Sequence, residues 1–321
     1  MIRRATAVAH PNIALAKYWG KAEGEGNVPA VPSLSVTLSG LSTTTTVTFG
    51  DTFAEDTLVL NGATAEGRPL ERAVALLDRV RAEAKSKARA HVTSINDFPT
   101  ASGLASSASG FAALALASTR ALGLDWPAEK VADCARRSSA SAARSIFGGF
   151  VELDATFCRA VAPPTALDLR VLVAVTTEAQ KATSSTDGMI LTQKTSPYYA
   201  AWVEDAPRNF RAMRAALLEN DFVRVGELAE RSALAMHACA MAAGVVYVSG
   251  GTLAALAEVR VMRASGIAAY ATMDAGPHLK CLVRAADVEA ARDRLAAVPG
   301  VLRVLVASPG EGATVQTEAE T

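Results

Sequence analysis

The chain has 321 residues, of which 50% are hydrophobic and 20% are charged, so it holds enough apolar material for two globular domains. Its 32 Lys and Arg balance its 32 Asp and Glu, which excludes an overall field drawing it to nucleic acid or an anionic membrane. Any anionic ligand must therefore be met by locally clustered cations.

The N-terminus lacks the features of a targeting segment. His10, Pro11 and Asn12 interrupt the apolar run that a signal peptide needs, and no apolar stretch approaches the roughly 18 residues of a membrane span. The cysteines and histidines are scattered singly, which favours buried free thiols over a disulfide, zinc or other transition-metal framework. We expect a cytoplasmic protein.

Alternating and amphipathic patterns predict the elements of the first half of the chain. The expected strands lie at 33–39, 43–49, 91–97 and 150–154, and the expected helices at 70–88, 111–117 and 127–137. The first two strands are expected to be neighbours in one antiparallel sheet. A second serine-rich helix start, at 138–149, ends in a glycine pair.

The second half continues with strands and helices in alternation. Strands are expected at 167–176, 267–273, 278–284 and 301–306, and helices at 196–218, 222–240, 251–265 and 288–297. This pattern predicts an α/β chain with mixed sheet order. We expect an N-terminal nucleotide- and phosphate-binding domain at 1–166, a C-terminal domain at 167–307 and a disordered tail at 308–321.

The segment 99–110 joins a predicted strand to a predicted helix, and after its proline and threonine it contains only Ala, Ser and Gly apart from Leu104. A helix start leaves its first N–H groups unpaired and carries the positive end of the helix dipole, which favours a bound phosphate. Ser102, Ser106 and Ser107 add hydroxyl donors, and Gly103 lets the backbone approach a ligand. The spacing matches neither the P-loop nor the dinucleotide fingerprint. A serine- and alanine-rich helix entry that binds nothing fits the residues equally well.

Four further groups of residues are candidates for a chemical role, and each of them also has a simpler structural explanation. Lys17 and Lys21 flank an aromatic pair, although most such lysines are solvated surface charges. Arg144 follows Ser139 and Ser141 at helical spacing, where a guanidinium can bind a carboxylate or phosphate through two hydrogen bonds. The polar segment 180–189 by itself is typical of a turn. Asp274, between an apolar strand and a Gly-Pro turn, is a candidate catalytic carboxylate, and a turn-forming role is the simpler explanation.

Taken together, these motifs resemble the diphosphomevalonate decarboxylases, a family within the superfamily of galactokinase, homoserine kinase, mevalonate kinase and phosphomevalonate kinase. The resemblance covers nearly the whole chain except its tail. It is carried by Asn12-Ile13-Ala14 with Lys17-Tyr18-Trp19-Gly20-Lys21, Ser33-Leu34-Ser35-Val36-Thr37-Leu38, the segment 96–107, Arg144-Ser145-Ile146-Phe147-Gly148-Gly149-Phe150, Ser184-Ser185-Thr186 with Gly188-Met189, and Met273-Asp274-Ala275-Gly276-Pro277.

The resemblance implies a two-domain fold of the kinase superfamily, with mixed and antiparallel sheets, helices and a deep cleft between the domains. It also implies a reaction of isoprenoid biosynthesis by the mevalonate pathway. ATP phosphorylates the 3-hydroxyl of mevalonate 5-diphosphate, and phosphate and carbon dioxide are then lost to give isopentenyl diphosphate. ATP and Mg²⁺ are the implied cofactors, and a homodimer the implied assembly, with no nucleic-acid or membrane partner.

The resemblance also implies roles for individual residues. Asp274, Lys17 and Arg144 are the implied catalytic group, in which Asp274 meets the 3-hydroxyl, Lys17 keeps it ionised and Arg144 holds the carboxylate. The implied substrate contacts are Tyr18, Lys21, Ser139, Ser141 and Arg144. The implied ATP and phosphate contacts are Asn96, Ser102, Gly103, Leu104, Ala105, Ser106, Ser107 and Lys181. Mg²⁺ is expected to be held mainly through the ATP phosphates, with Ser106 as a candidate protein ligand.

Three departures from the family pattern bear on substrate identity. Gly244-Val245 stands where many relatives have a proline pair, His278 stands where asparagine is common, and Gln193 stands where some bacterial relatives carry an arginine. The number of phosphates on the substrate is therefore open. The alternatives are a phosphomevalonate decarboxylase, a mevalonate-type 3-kinase and a catalytically inactive nucleotide-binding homologue.

Overall fold

The computed structural model describes residues 2–24, 26–98, 106–179 and 182–316. Its first half has thirteen elements. They are β1 (Ile2–Ala9), β2 (Asn12–Ala16), β3 (Ser33–Ser39), β4 (Thr43–Gly50), β5 (Thr57–Leu60), β6 (Ala63–Thr64), α1 (Arg68–Ala84), β7 (Arg89–Asn96), α2 (Ser106–Ala121), α3 (Ala128–Ser138), α4 (Ala140–Arg144), β8 (Phe150–Leu153) and β9 (Cys158–Ala162).

The second half adds ten elements and two short 3-10 helices. They are the 3-10 helix Pro164–Ala166, β10 (Arg170–Val175), α5 (Ser185–Thr195), α6 (Tyr199–Leu218), α7 (Phe222–Met241), α8 (Gly250–Ala264), β11 (Tyr270–Met273), β12 (Leu279–Val283), the 3-10 helix Ala285–Asp287, α9 (Val288–Ala296), β13 (Arg303–Pro309) and β14 (Thr314–Gln316). The predicted α/β architecture with mixed and antiparallel sheets is confirmed.

The strands form two sheets. One has six strands in the order β14-β1-β4-β7-β5-β6, in which only the pairing of β5 with β7 is parallel among the described strands. The other has eight strands in the order β11-β12-β10-β13-β3-β8-β9, with β2 also paired to β3. Helix α2 packs across β1 and β4 of the first sheet. Its alanine-rich sequence allows this close approach, since small side chains shorten the distance between layers.

Two predictions are wrong, one about which strands share a sheet and one about the tail. Strands β3 and β4 follow each other in the chain, but they belong to different sheets, because the chain leaves one sheet and enters the other between Ser39 and Thr43. The tail predicted to be disordered is also partly ordered. Residues 303–309 form β13, which pairs with β10 and β3, and residues 314–316 form β14, which pairs with β1. Residues 317–321 lie outside the described ranges.

A third prediction, of a polar turn at 180–189, is partly wrong. Ser184 begins a helix there, because its hydroxyl accepts a hydrogen bond from the backbone N–H of Asp187 at 3.1 Å and caps α5.

The eight-stranded sheet also takes strands from both sides of the predicted boundary at 166/167. That boundary therefore does not coincide with a gap between sheets, and it stays a prediction. No helix in the described ranges has the length and apolarity needed to cross a membrane.

Candidate active site

A cavity of about 710 Å³ collects most of the predicted site residues. Its lining includes Lys17, Tyr18, Lys21, Asn96, Ser106, Ser107, Ser139, Ser141, Arg144 and Asp274. These residues come from the segment after β2, the end of β7, the start of α2, helix α4 with its N-cap, and the turn after β11. Ser102, Gly103, Leu104, Ala105 and Lys181 lie outside the described residues. The roles of all these residues stay predictions.

Asp274 lines the cavity and forms an ion pair with Lys17. The Lys17 Nζ is 2.7 Å from Asp274 Oδ1 and also donates to the carbonyl of Ala14 at 2.7 Å. The backbone N–H of Lys17 donates to Ser232 Oγ on α7 at 3.0 Å. These contacts fix the lysine from three sides. Lys17 is only 2% exposed, so its charge is stabilised by Asp274 and not by water.

A second lysine approaches the other oxygen of the same carboxylate. Lys280 Nζ on β12 lies 3.2 Å from Asp274 Oδ2, and Lys280 is 1% exposed. Burial alone would raise the pKa of Asp274, but the two lysines outweigh burial and hold that pKa well below its usual range. Burial lowers the pKa of Lys17 to about 8, although Asp274 opposes the change. The carboxylate is therefore ionised throughout the neutral range.

The guanidinium of Arg144 lines the same cavity, and it has no acidic partner among the described residues. The residue is 3% exposed, its Nε donates to Asn12 Oδ1 at 3.1 Å and its Nη1 donates to Ser33 Oγ at 3.0 Å. Among the described residues, no carboxylate lies within ion-pair distance of it. Burial lowers the pKa of Arg144, yet a guanidinium remains charged at neutral pH. A buried, oriented and unneutralised guanidinium is suited to binding an anionic ligand group.

Asn12 holds this arginine in place through its own hydrogen bonds. Its Nδ2 donates to the carbonyl of Ser141 at 2.9 Å and to Ser145 Oγ at 2.8 Å, which ties β2 to α4. The Asn12 Oδ1 is thereby turned towards Arg144. The sequence motif Asn12-Ile13-Ala14 thus positions Arg144, a contribution that spacing along the chain does not reveal.

Hydroxyl groups lie beside this cation. Ser139 Oγ and Ser141 Oγ are 3.1 Å apart. The hydroxyl of Tyr18 is buried and has no hydrogen-bond partner among the described residues, and burial raises the pKa of Tyr18 to about 12. The phenol is therefore a neutral donor that a ligand oxygen can satisfy.

Two arginines that the sequence analysis did not select, Arg68 and Arg72 of α1, also line the cavity. Burial lowers the pKa of Lys21, and the charges of Arg72 and Arg68 lower it further, so these cations act on one another. Arg72 donates to the carbonyl of Ser138 at 2.7 Å and lies 4.5 Å from the centre of the Phe111 ring. Arg68 and Arg72 are four residues apart and therefore share one face of the helix, which is the pattern in the sequence that could have identified them. A charged helical face is usually solvated, so this pattern alone does not predict a binding site.

The cavity lining also includes the start of α2 and several apolar side chains. Ser106 and Ser107 lie in the first turn of α2, and Leu58, Val92 and Leu114 contribute apolar surface. Asn96 at the end of β7 accepts a hydrogen bond from Thr43 Oγ1 at 2.5 Å. Backbone and hydroxyl donors beside an apolar wall fit a phosphate ester attached to a planar base. The described residues contain no cluster of acidic, His or Cys side chains able to hold a metal ion alone.

The departures from the family pattern lie away from the cavity lining. Gln193 is exposed on α5. His278 is fully buried, and its Nδ1 lies 3.3 Å from the N–H of Thr176. Burial lowers the pKa of His278 to about 4, so the ring is neutral. Val245 and Tyr247 pack in a cluster with Trp19. These three departures therefore do not alter the cavity directly.

Comparisons with known proteins agree with this geometry. Residues 9–158 match the family model of the diphosphomevalonate decarboxylase-like N-terminal domain, and residues 171–302 match that of the mevalonate 5-diphosphate decarboxylase C-terminal domain. The diphosphomevalonate decarboxylase of Candida albicans is 35% identical over 85% of this chain and 82% of its own length. The phosphomevalonate decarboxylase of Haloferax volcanii is 37% identical over 85% of this chain and 86% of its own.

Solved structures give the same result over more of the chain. Mevalonate diphosphate decarboxylase from Staphylococcus aureus superposes with a TM-score of 0.94 at 34% identity, covering 99% of both chains. A complex described as MDDEF with MVAPP, AMPPCP and magnesium superposes with a TM-score of 0.92 at 39% identity, covering 98% of this chain and 99% of the other. The fold and cavity are thus those of the kinase superfamily named above. Within that superfamily, the chain belongs to the diphosphomevalonate decarboxylase family.

Proposed function

We propose that the protein catalyses the ATP-dependent decarboxylation of mevalonate 5-diphosphate to isopentenyl diphosphate, a step of isoprenoid biosynthesis. One observation carries the proposal. A buried guanidinium without an acidic partner, that of Arg144, and an ionised carboxylate held by lysines, that of Asp274, line the same cavity. A substrate that carries both a carboxylate and a hydroxyl matches this pair.

The first half of the reaction is phosphoryl transfer to the 3-hydroxyl of the substrate. Asp274 orients that hydroxyl and takes its proton as the new oxygen–phosphorus bond forms and the bond to ADP breaks. Two ammonium groups make Asp274 a weak base, so it contributes mainly by orientation and accepts the proton late. Lys17 keeps the carboxylate ionised and correctly aligned.

The second half removes carbon dioxide. The carbon–oxygen bond to the 3-phosphate breaks and phosphate leaves with its electron pair. The bond between the carboxylate and C2 then supplies the electrons of the new double bond between C2 and C3, and carbon dioxide departs. Arg144 holds the carboxylate in the orientation that this electron shift requires. Its hydrogen bonds to Asn12 and Ser33 fix that orientation before the substrate arrives.

The remaining polar groups suit the phosphates of the two ligands. Tyr18, Ser139, Ser141 and Lys21 would hold the 5-phosphate end of the substrate, with Arg68 and Arg72 nearby. The start of α2, with Ser106 and Ser107, would hold the phosphates of ATP, and the predicted contacts at 102–105 and Lys181 belong to the same proposal. Bound Mg²⁺ would neutralise phosphate charge during transfer. Its protein ligand would be the Ser106 hydroxyl, since the described residues offer no acidic cluster.

A second candidate is decarboxylation of the 5-monophosphate. Gln193 carries no charge and is exposed outside the cavity lining, so it offers no cation to a second phosphate. The relative from Haloferax volcanii bears the corresponding name. In favour of the diphosphate, three cations, Lys21, Arg68 and Arg72, line the cavity.

One assay separates these functions. The purified protein is given ATP, Mg²⁺ and mevalonate carrying zero, one or two 5-phosphates, and ADP and carbon dioxide are measured together. We expect both products in equal amounts, with the highest kcat/KM for the diphosphate. A preference for the monophosphate would identify the second candidate. ADP without carbon dioxide would identify a 3-kinase, and neither product with retained ATP binding would identify an inactive homologue.

The assembly and location predicted from the sequence belong to the same proposal. Cys134, Cys158, Cys239 and Cys281 are all free and buried, which suits a reducing cytoplasm. The homodimer rests on the family resemblance alone. Light scattering during size-exclusion chromatography measures it directly, because a dimer has twice the chain mass of 33.2 kDa.

A further inference from the structure

Lys280 is a buried lysine that belongs to none of the sequence motifs above and takes no direct part in the proposed reaction. It lies on β12, opposite Thr272 of β11 in the register of the hairpin. Asp274 follows Thr272 by two residues, just past the end of β11, and the Lys280 side chain reaches it from the neighbouring strand. The hairpin register therefore brings the Lys280 ammonium to Asp274.

The two lysines hold Asp274 from different directions. Lys17 Nζ contacts Oδ1 at 2.7 Å, whereas Lys280 Nζ lies 3.2 Å from Oδ2. A carboxylate held at one oxygen can still turn about its Cβ–Cγ bond. With an ammonium group beside each oxygen, rotation about that bond would separate an ion pair, so the plane of the carboxylate is restrained as well. The Asp274 side chain keeps 26% of its surface exposed towards ligand and solvent, whereas each lysine side chain is only 1% exposed.

A second lysine is costly to bury, which argues that it has a function. One lysine already neutralises one carboxylate, so the second adds a buried positive charge that the pair does not require for neutrality. Arg144 adds another positive charge in the same cavity. A sheet strand would be stabilised at least as well by an apolar residue at position 280, which lies between buried Leu279 and buried Cys281.

We propose that Lys280 is a positioning residue for phosphoryl transfer, which fixes the plane of the Asp274 carboxylate through Oδ2. The inference rests on the proposed function, because it assumes that Asp274 meets the substrate hydroxyl. Lys280 itself does not line the cavity, so it is not expected to touch either ligand.

Other charged and titratable groups act on this cluster and must be considered in a pH experiment. Arg144 and His237 interact electrostatically with Asp274, and His237 and His278 interact with Lys280. Burial lowers the pKa of both histidines to about 4, so neither changes its charge between pH 6 and 9, the range we would measure. A difference between variant and wild type in that range therefore reports on Asp274 and its two lysines.

The test compares Lys280→Met and Lys280→Gln with the wild type, and uses Lys130→Met as a control that removes an exposed lysine paired with Glu83. We expect both Lys280 variants to lose about tenfold or more in kcat, which is less than the roughly 100-fold lower end for loss of proton transfer itself, because Asp274 is kept. KM for either ligand should stay within about threefold, because the ligands are not contacted. The alkaline decline of kcat/KM should move to higher pH in both variants, because the charge of Lys280 is one of the causes that lower the pKa of Lys17 to about 8. The control should retain the wild-type profile.

Each outcome decides the inference. An unchanged kcat in folded variants would overturn it, and so would an effect on KM alone or an alkaline decline at the same pH as in the wild type. Loss of the folded state in both variants, seen by circular dichroism, would assign Lys280 to folding and also overturn it. If the wild type releases no carbon dioxide or ADP, the proposed function has failed. If the wild type is active and the variants match it, only the role of Lys280 has failed.

Discussion

Asp274 and Arg144 line one cavity, yet the protein treats their charges in opposite ways. Asp274 is neutralised internally by Lys17 and Lys280, at 2.7 and 3.2 Å. Arg144 receives only neutral acceptors, from Asn12 and Ser33. The difference indicates that Asp274 is prepared before any ligand arrives, whereas Arg144 is completed by the ligand. A group that performs chemistry is fixed by the protein, and a group that binds keeps its charge for the substrate.

The largest effect is expected for Asp274→Asn. Turnover should fall by about two orders of magnitude or more, which is the usual scale for removing a general base. ATP affinity, measured by calorimetry, should be kept. The substitution also leaves Lys17 and Lys280 buried without an anion, so the melting temperature should fall as well. Near-normal turnover in a folded Asp274→Asn variant would remove Asp274 from the mechanism.

Substitutions of Arg144 should lower activity in a graded order. Lysine keeps the charge but loses the planar pair of donors, whereas methionine leaves the bound carboxylate unpaired. We expect Arg144→Met to lose about 10- to 100-fold in kcat/KM, since hydrogen bonds to charged groups contribute roughly 1.5–3 kcal/mol, and Arg144→Lys to lose less. Carbon dioxide release by both variants gives the order. If methionine is no worse than lysine, another group binds the carboxylate.

The stabilities of Asp274→Asn and Arg144→Met test the same difference between the two charges. Arg144→Met removes a buried charge that has no acidic partner, so its melting temperature should fall less than that of Asp274→Asn. Differential scanning calorimetry of the two proteins without ligands measures this directly. A larger fall for Arg144→Met would mean that Arg144 is a structural residue of the unliganded fold.

A moderate effect is expected from pH. The protonated form of Lys17 pairs with Asp274, and the pKa of Lys17 is lowered to about 8, so the productive form predominates below that pH and is lost above it. The value of kcat/KM should therefore fall as the pH rises through about 8, by up to tenfold per unit for a single ionisation. Lys17→Arg should move this decline to higher pH, because a guanidinium does not lose its proton there. An identical alkaline decline in Lys17→Arg would assign it to another group.

The smallest effect is expected at the start of α2. Ser106→Leu removes one hydroxyl donor and adds bulk beside the expected phosphate position, so ATP affinity should weaken by about five- to tenfold, which corresponds to roughly 1–1.5 kcal/mol. Arg120→Leu near the other end of α2 is the matched control, and it should bind ATP normally. Equal affinities for both variants and the wild type would mean that the nucleotide binds elsewhere.

The sequence predicted the elements better than it predicted their arrangement. Alternation and amphipathicity are local, so β3 and most of the helices appear where the patterns indicate them. The separation of β3 and β4 into two sheets depends on contacts distant in the chain, such as the pairing of β3 with β8. The tail was misjudged because its Gly, Glu and Thr are typical of disorder, while its order comes from pairing with β1 and β3.

The site residues show the same contrast: those that stand in a local motif were predicted, and those that only the fold brings to the site were missed. Lys17, Arg144 and Asp274 stand in recognisable motifs, and their meeting in one cavity agrees with the resemblance. Lys280 stands in an apolar strand, where a single lysine carries no motif, and only the register of the hairpin brings it to Asp274. Arg68 and Arg72 look like the solvated face of an amphipathic helix until the cavity is seen to open beside them.

The strands β13 and β14 connect the two sheets near the very end of the chain. Between them, Gly310 donates to the carbonyl of Thr37 at 2.8 Å and accepts from Gly149 at 2.8 Å, and Ala313 donates to the carbonyl of Ile146 at 3.1 Å. During synthesis these residues emerge after the other strands of both sheets, so the edge of β1 lacks its partner and the segment that follows Arg144 lacks its backbone contacts until β13 and β14 have been made. A variant that lacked residues 310–316 would thus have an open edge at β1 and would lose the backbone contacts behind the segment that follows Arg144.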